Sequence, residues 1–88
     1  MKFNLDKIKS VGTVQNIRND ENGNVLLIIF EYQGEVFSCI PSANLIHHLN
    51  PDFGGVIDTD GNVKGTSSPL PDNLRKIMIE LYKEIKNV

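Results

Sequence analysis

An unbroken apolar segment of six residues, 25–30, lies between two turn signals, Asn22-Gly23 and Gln33-Gly34. Asn-Gly favours a hairpin because both residues tolerate the positive φ angles of a type I′ turn. The pattern predicts a meander of three strands, over residues 11–18, 25–32 and 35–40. An antiparallel strand with one solvated face alternates apolar and polar residues. The unbroken segment therefore indicates a central strand that is buried on both faces.

The C-terminal residues predict a helix that packs on this sheet. Apolar residues recur there at i, i+3, i+4, i+7, i+8 and i+11, which makes one apolar stripe. The stripe consists of Leu74, Ile77, Met78, Leu81, Tyr82 and Ile85. Asp72 is a suitable N-cap behind Pro71. The sequence thus predicts a long amphipathic helix at this end of the chain.

The remaining segments carry weaker signals. Ser42 predicts the cap of a short helix over residues 43–49, and Asp60-Gly61 predicts a small extra hairpin within residues 52–71. Residues 4–10 are compatible with one helical turn or with a lead-in strand. Together these elements predict an α+β fold: a three- to four-stranded antiparallel meander sheet packed on a C-terminal amphipathic helix, with one short helix after strand 3. We expect one domain, 1–88, because a chain this short buries only about 60–65 % of its unfolded surface.

The predicted register leaves both faces of the sheet apolar. Two-residue loops place Ile17 opposite Ile28, and Phe30 between Gln15 and Phe37. The second face then carries Val14, Val25, Leu27, Ile29, Val36 and Ile40, interspersed with Asn16, Arg18, Glu31 and Ser38. A C-terminal helix of about 16 residues, roughly 24 Å long, covers one face only. We therefore expect a second chain on the other face, with the alternative that residues 52–71 fold over it.

This surplus of apolar surface leads to the first functional hypothesis, a non-catalytic binding module that acts through protein–protein contact. The partner is a second copy, giving a homodimer, or another protein. The predicted contact residues are Leu27, Ile29, Val36 and Ile40, with Glu31 and Glu35 at a polar rim. Asn and Ile occur ten times each, and Lys outnumbers Arg seven to two. Such usage is typical of an AT-rich genome and suggests an accessory or inhibitor protein of a phage or mobile element in a low-GC bacterium.

The alternative hypothesis is a protein that sequesters a small ligand, such as a nucleotide or another anion. Gly65, Thr66, Ser67 and Ser68 precede the C-terminal helix, and such a segment can present backbone N–H and hydroxyl groups to an anion. It lacks the P-loop lysine and glycine spacing, so nucleoside triphosphate hydrolysis is not predicted. A flexible polar linker explains the same composition.

Catalytic and metal sites are not predicted. Cys39 falls in mid-strand on the apolar face, where a free cysteine is usually a small buried hydrophobe. His47 and His48 are adjacent, so on a helix they diverge by about 100° and lack the i, i+4 spacing of zinc sites. Residues 58–62 match part of a calcium loop, but Gly61 stands at position 4 instead of 6, and position 12 is Pro69. We expect no enzyme, no cofactor and no bound metal.

The charge distribution argues against nucleic acid as a partner. Residues 19–62 carry seven acidic side chains and no Lys or Arg, between flanks of net +3 and +2. This acidic centre repels phosphates, and the aromatic residues do not alternate with basic ones as a stacking platform requires. The longest apolar run is far below the roughly 20 residues of a membrane-spanning helix. With one cysteine and no signal-peptide pattern, we expect a cytoplasmic protein that binds no membrane.

Overall fold

The computed structural model describes residues 3–87, which form an α+β fold. Six antiparallel strands lie in one sheet, and each strand pairs with the next along the chain. The strands are β1 (Thr13–Asn19), β2 (Val25–Tyr32), β3 (Glu35–Ile40), β4 (Leu45–His48), β5 (Gly55–Asp58) and β6 (Val63–Gly65). The helices are α1 (Leu5–Val11) and α2 (Asp72–Ile85), and Pro41–Ala43 form a 3-10 helix. The fold class is as predicted, but the sheet has six strands instead of three or four.

Residues 5–11 form a helix, which is one of the two alternatives predicted for residues 4–10. The first strand is present but starts two residues later than predicted, at Thr13 instead of residue 11. The Asn4 side chain caps α1 by accepting a hydrogen bond from the Lys7 N–H, at 3.2 Å. Ile8 is fully buried. The Asn4 N–H donates to the carbonyl oxygen of Ile85 at the end of α2. This hydrogen bond joins the N-terminal segment to the C-terminal helix. Patterns of neighbouring residues in the sequence do not predict a contact between residues so far apart in the chain.

The register of β1 is shifted by a β-bulge. Ile17 pairs with Ile28 as predicted, but Phe30 pairs with Val14, because the register shifts between Val14 and Asn16. The extra residue moves Val14 to the face of the sheet on which both helices pack, called the helix side, where Val14 packs against the core. The β2–β3 register is as predicted, since Gln33 and Gly34 form a two-residue turn with φ angles of 50° and 81°.

A helix over residues 43–49 was also a wrong prediction. Asn44 adopts a left-handed conformation with φ 53° and ends the 3-10 helix after a single turn. The next four residues form β4, which pairs with both β3 and β5. Their burial alternates along the strand. A segment this short does not show whether its period is that of a strand or of a helix, so the pairing partners decide its structure.

Residues 52–71 extend the sheet at its edge instead of folding over its second face. The predicted hairpin at Asp60-Gly61 is present and joins β5 to β6. After β6 the chain turns toward the helix side, where Leu70 is buried in the core. Two further strands therefore widen both faces of the sheet, and the face opposite the helices gains additional apolar residues.

Both helices contribute to one core on one face of the sheet. Phe30 and Phe37 stack there with ring centroids 5.8 Å apart. The core consists of Phe3, Ile8, Ile28, Phe30, Phe37, Cys39, Ile46, Ile57, Leu70, Leu74, Met78, Leu81 and Ile85. The predicted α2 stripe is confirmed, although Asp72 is the first helical residue and Pro71 occupies the N-cap without a side-chain hydrogen bond. Within residues 3–87, neither helix has the length and apolar character that a membrane crossing requires.

Candidate functional site

The sheet face opposite the helices, called the open face, is built from alternate residues of all six strands. Strand pairing arranges these residues in rows across the sheet. The central row contains Asn16, Ile29, Ser38, His47, Val56 and Lys64. A second row contains Arg18 and Leu27, and the β2–β3 register continues it to Ile40, Leu45 and Asp58. Thr13, Glu31 and Val36 form a third, shorter row.

The open face carries all four of the predicted apolar contact residues, which are Leu27, Ile29, Val36 and Ile40. Each is half-buried, whereas alternating residues on the helix side of β2 and β3, such as Ile28 and Phe37, are 0 % exposed. None of the four belongs to the core that the helices share. Leu45 and Val56 add two half-buried apolar side chains to this face. They escaped the sequence analysis because β4 and β5 lay in segments predicted as a short helix and a loop hairpin.

The two predicted rim residues lie on different faces. Glu31 is exposed and pairs with Thr13 and Val36, so it belongs to the open face. Glu35 pairs with Tyr32, and the tight turn before it sets its side chain on the helix side. Its carboxylate accepts a hydrogen bond from His48 Nε2 over 3.3 Å. Glu35 therefore orients a core histidine and does not border the open face.

The two histidines also lie on opposite faces, because neighbouring residues of a strand alternate. His47 lies on the open face between Ser38 and Val56. The side chain of His48 is 3 % exposed, its ring lies 5.3 Å from that of Phe37, and its Nδ1 has no hydrogen-bond partner in the described chain. The two rings therefore extend from opposite faces of the sheet.

Other candidate groups for catalysis or metal binding do not converge. Within residues 3–87, no three His, Cys, Asp or Glu side chains are placed to hold a metal ion. Cys39 is fully buried, and this burial raises the pKa of its thiol to about 12. A thiol with so high a pKa carries almost no thiolate at neutral pH and is a poor nucleophile.

The Asp58 carboxylate stabilises a turn instead of forming a calcium loop. Its Oδ1 accepts the N–H groups of Asp60 and Asn62, at 2.9 and 3.0 Å, and its Oδ2 accepts the Asn62 side-chain amide. Asp20 makes the same set of hydrogen bonds to Asn22 and Asn24 in the β1–β2 loop. Residues 20–25 (Asp-Glu-Asn-Gly-Asn-Val) and 58–63 (Asp-Thr-Asp-Gly-Asn-Val) thus have similar sequences because both form the same turn. Hydrogen bonds from Asn24 and Asn62 are the main cause that lowers the pKa of Asp20 and of Asp58.

This arrangement predicts a pH-dependent stability. A folded-state pKa below the ordinary value of 3.8 means that the carboxylate stabilises the fold at neutral pH, and that this contribution is lost as the pH falls through the folded pKa. We expect Asp20→Asn and Asp58→Asn to lower the thermal midpoint at pH 7 and to approach the wild type as the pH falls from 3.8 through the lowered folded pKa. Asp60→Asn, in the same turn, is the control. Parallel curves for all chains from pH 7 to pH 2 would contradict this.

The Gly65–Ser68 segment uses its donors internally. The Thr66 and Ser67 N–H groups donate to the carbonyl oxygens of Gly54 and Phe53, at 2.9 and 3.0 Å. The Thr66 and Ser68 hydroxyls donate to the carbonyls of Gly54 and Asp52. The segment is thus fastened to residues 52–54, and these N–H groups are not available to an anion. The geometry gives little support to an anion site built from this loop.

A groove of about 410 Å³ lies on the half of the open face formed by β4, β5 and β6. Leu45 and Val56 provide apolar surface, and Asp58 and Lys64 provide opposite charges. His47, His48 and Thr66 add further polar residues to its lining. The groove is mostly apolar with a few polar groups, which is the usual composition of a binding surface.

Comparisons with known proteins give no family. No protein-family model matches the sequence, and neither the curated proteins nor the solved structures contain a match. Function is therefore inferred from the open face: its apolar rows, its charged ends and its groove.

Proposed function

We propose that this chain is a non-catalytic binding module whose open face binds another protein chain, and that the partner is a second copy. One observation carries the proposal: a patch of half-buried apolar side chains lies on the face opposite the core. The patch consists of Leu27, Ile29, Val36, Ile40, Leu45 and Val56. Contiguous apolar surface of this kind marks interaction sites in soluble proteins. The residue usage is typical of an AT-rich genome. We propose that the chain acts in the cytoplasm as an accessory or inhibitor protein of a phage or mobile element of a low-GC bacterium.

The size of the open face sets the expected strength of the dimer. Six strands about 4.8 Å apart, with a mean length of about 18 Å, give a projected area of roughly 500 Å² per copy. Two copies then bury about 1,000 Å², which is at the lower limit for a specific interface. Sheets pack face to face in this way in β-sandwiches. We therefore expect a reversible dimer with a dissociation constant in the micromolar range.

Sedimentation velocity of the wild type and of Leu27→Asp tests the proposal. The wild type should shift from 9.8 kDa toward twice that mass as its concentration rises through the micromolar range. Leu27 is half-exposed in the single chain, so the variant should fold, whereas in a dimer its new carboxylate would lose its water at the interface. We expect its dissociation constant to rise by about 100-fold or more.

Ile79→Asp is the matched control, because Ile79 is an exposed apolar residue of α2, on the other side of the sheet. It should dimerise like the wild type. A wild-type chain that remains at 9.8 kDa up to millimolar concentration would contradict the proposal. Equal association of the wild type and Leu27→Asp would contradict the assignment of the open face.

The groove supports a second candidate function, sequestration of a small anionic ligand. Its volume lies within the usual range of ligand pockets, and Lys64, His47 and Thr66 line it. The adjacent Asp58 carboxylate and the occupied N–H groups of the Gly65–Ser68 segment weaken this candidate. A thermal-shift screen against nucleotides and cyclic dinucleotides tests it, because a ligand at 100 times its Kd stabilises the fold by about 2.7 kcal/mol. Unchanged midpoints with every compound would remove it.

A further inference from the structure

We infer that the two copies stack about a twofold axis that runs parallel to the strands, between β3 and β4. The β1–β3 half of each open face then covers the β4–β6 half of the other copy. This inference rests on the proposed function, in which the open face binds a second copy. A twofold interface must be complementary to itself, so the two halves of the face that the axis relates have to fit each other.

The distribution of apolar side chains fits this orientation. The β4–β6 half contains the groove, which Leu45 and Val56 line. The β1–β3 half carries Leu27 and Ile29 on β2 and Ile40 on β3. An axis between β3 and β4 stacks β2 on β5 and β3 on β4. Ile29 then lies over Val56, and Ile40 lies over Leu45, because the members of each pair share a row and are equally far from the axis.

The charges fit the same orientation. One row begins with Arg18 on β1 and ends with Asp58 on β5. Arg18 is exposed and takes part in no ion pair within the described chain. The axis brings each Arg18 next to the Asp58 of the other copy, so opposite charges meet at both ends of the interface. An axis perpendicular to the strands would instead stack Lys64 on Lys64, and facing like charges are unfavourable.

Cysteine cross-linking tests the orientation. The double variant carries Ile29→Cys on β2 and Val56→Cys on β5. Within one chain these two thiols are three strand spacings apart, about 14 Å. Across the proposed interface, each thiol of one copy lies directly over the other thiol position of the second copy. A bismaleimide with a reach of about 10 Å, the spacing of face-packed sheets, should therefore link two chains and not one. Burial of Cys39 and its pKa of about 12 keep the native thiol from competing.

The expected result is a covalent dimer from the combined variant and from a mixture of the two single variants. Each single variant alone should stay monomeric on a denaturing gel. Cross-linking of Ile29→Cys to itself would overturn the orientation and favour the perpendicular axis. Absence of any link while the wild type sediments as a dimer would overturn the orientation and leave the proposed function standing. A monomeric wild type would overturn both.

Charge exchange gives an independent test. Arg18→Asp and Asp58→Lys should each weaken their own dimer by about tenfold, and an equal mixture of the two should recover a tight heterodimer. Asp58→Lys also breaks a turn, so Asp20→Lys, which breaks the equivalent turn of the first hairpin, is its control. A mixture that associates no more tightly than either variant alone would overturn the pairing of Arg18 with Asp58.

Discussion

Replacing Phe30 by alanine is expected to lower the free energy of unfolding by about 3–5 kcal/mol. Phe30 is 0 % exposed and lies in the core between β1 and β3, where it stacks on Phe37. The substitution removes the buried ring and leaves a cavity that the neighbouring backbone cannot close, since Phe30 pairs with strands on both sides. A chain of this length has a total stability of about 4–13 kcal/mol, so this loss is a large share of it.

Urea unfolding followed by far-ultraviolet circular dichroism measures this loss. Samples should be kept at a fixed low concentration, because dimerisation adds to the apparent stability. Leu26→Ala, on the same strand but 50 % exposed, is the control and should cost less than about 1 kcal/mol. If the alanine variant does not fold, Phe30→Leu should still fold, with a smaller loss. Equal midpoints for Phe30→Ala and Leu26→Ala would contradict the assignment of the core.

Replacing Gly65 by alanine is expected to cost about 3 kcal/mol. A Cβ at this position would overlap the carbonyl oxygen of Ser68 and approach that of Phe53 to 3.0 Å. Both neighbours are backbone atoms, and the loop around them is held by hydrogen bonds to Gly54 and Phe53. The added methyl group therefore separates residues 65–68 from residues 52–54 and breaks several of these hydrogen bonds together.

The same unfolding experiment on Gly65→Ala and Gly23→Ala isolates the steric effect. A Cβ at Gly23 meets no heavy atom within 4 Å, so that variant suffers only from its positive φ of 83°, at a cost of about 1–2 kcal/mol. The Gly65 variant should be the less stable of the two and should lose the shape of the groove that Thr66 lines. A smaller loss for Gly65→Ala than for Gly23→Ala would show that the loop is not fastened as described.

The sequence predicts those parts of the fold that local chemistry determines. The apolar stripe of α2 identifies a helix whose Leu74, Met78, Leu81 and Ile85 are buried. The tight turn at Gln33-Gly34 sets the β2–β3 register, which places Leu27, Ile29, Val36 and Ile40 on one face. The tight turn therefore identifies the β2 and β3 part of the candidate contact surface from the sequence alone.

The remaining parts depend on contacts between distant residues. The bulge in β1 moves Val14 to the core, and β4 becomes a strand because β3 and β5 pair with it on both sides. Both effects arise from partners that a local pattern does not contain. The same applies to Glu35, because a hydrogen bond to a histidine 13 residues away gives it a role inside the fold. The sequence analysis missed Leu45, Val56 and the groove because β4 and β5 become strands only through pairing with other strands.

The proposed function requires that a second chain keeps water off the open face. Methyl NMR with a soluble gadolinium chelate measures this directly, because the probe broadens only methyl groups that solvent can reach. As protein concentration rises through the micromolar range, the broadening of Leu27, Ile29, Val36 and Ile40 methyls should fall, and that of Ile79 on α2 should stay constant. Broadening of the open-face methyls that does not change with concentration would contradict the claim.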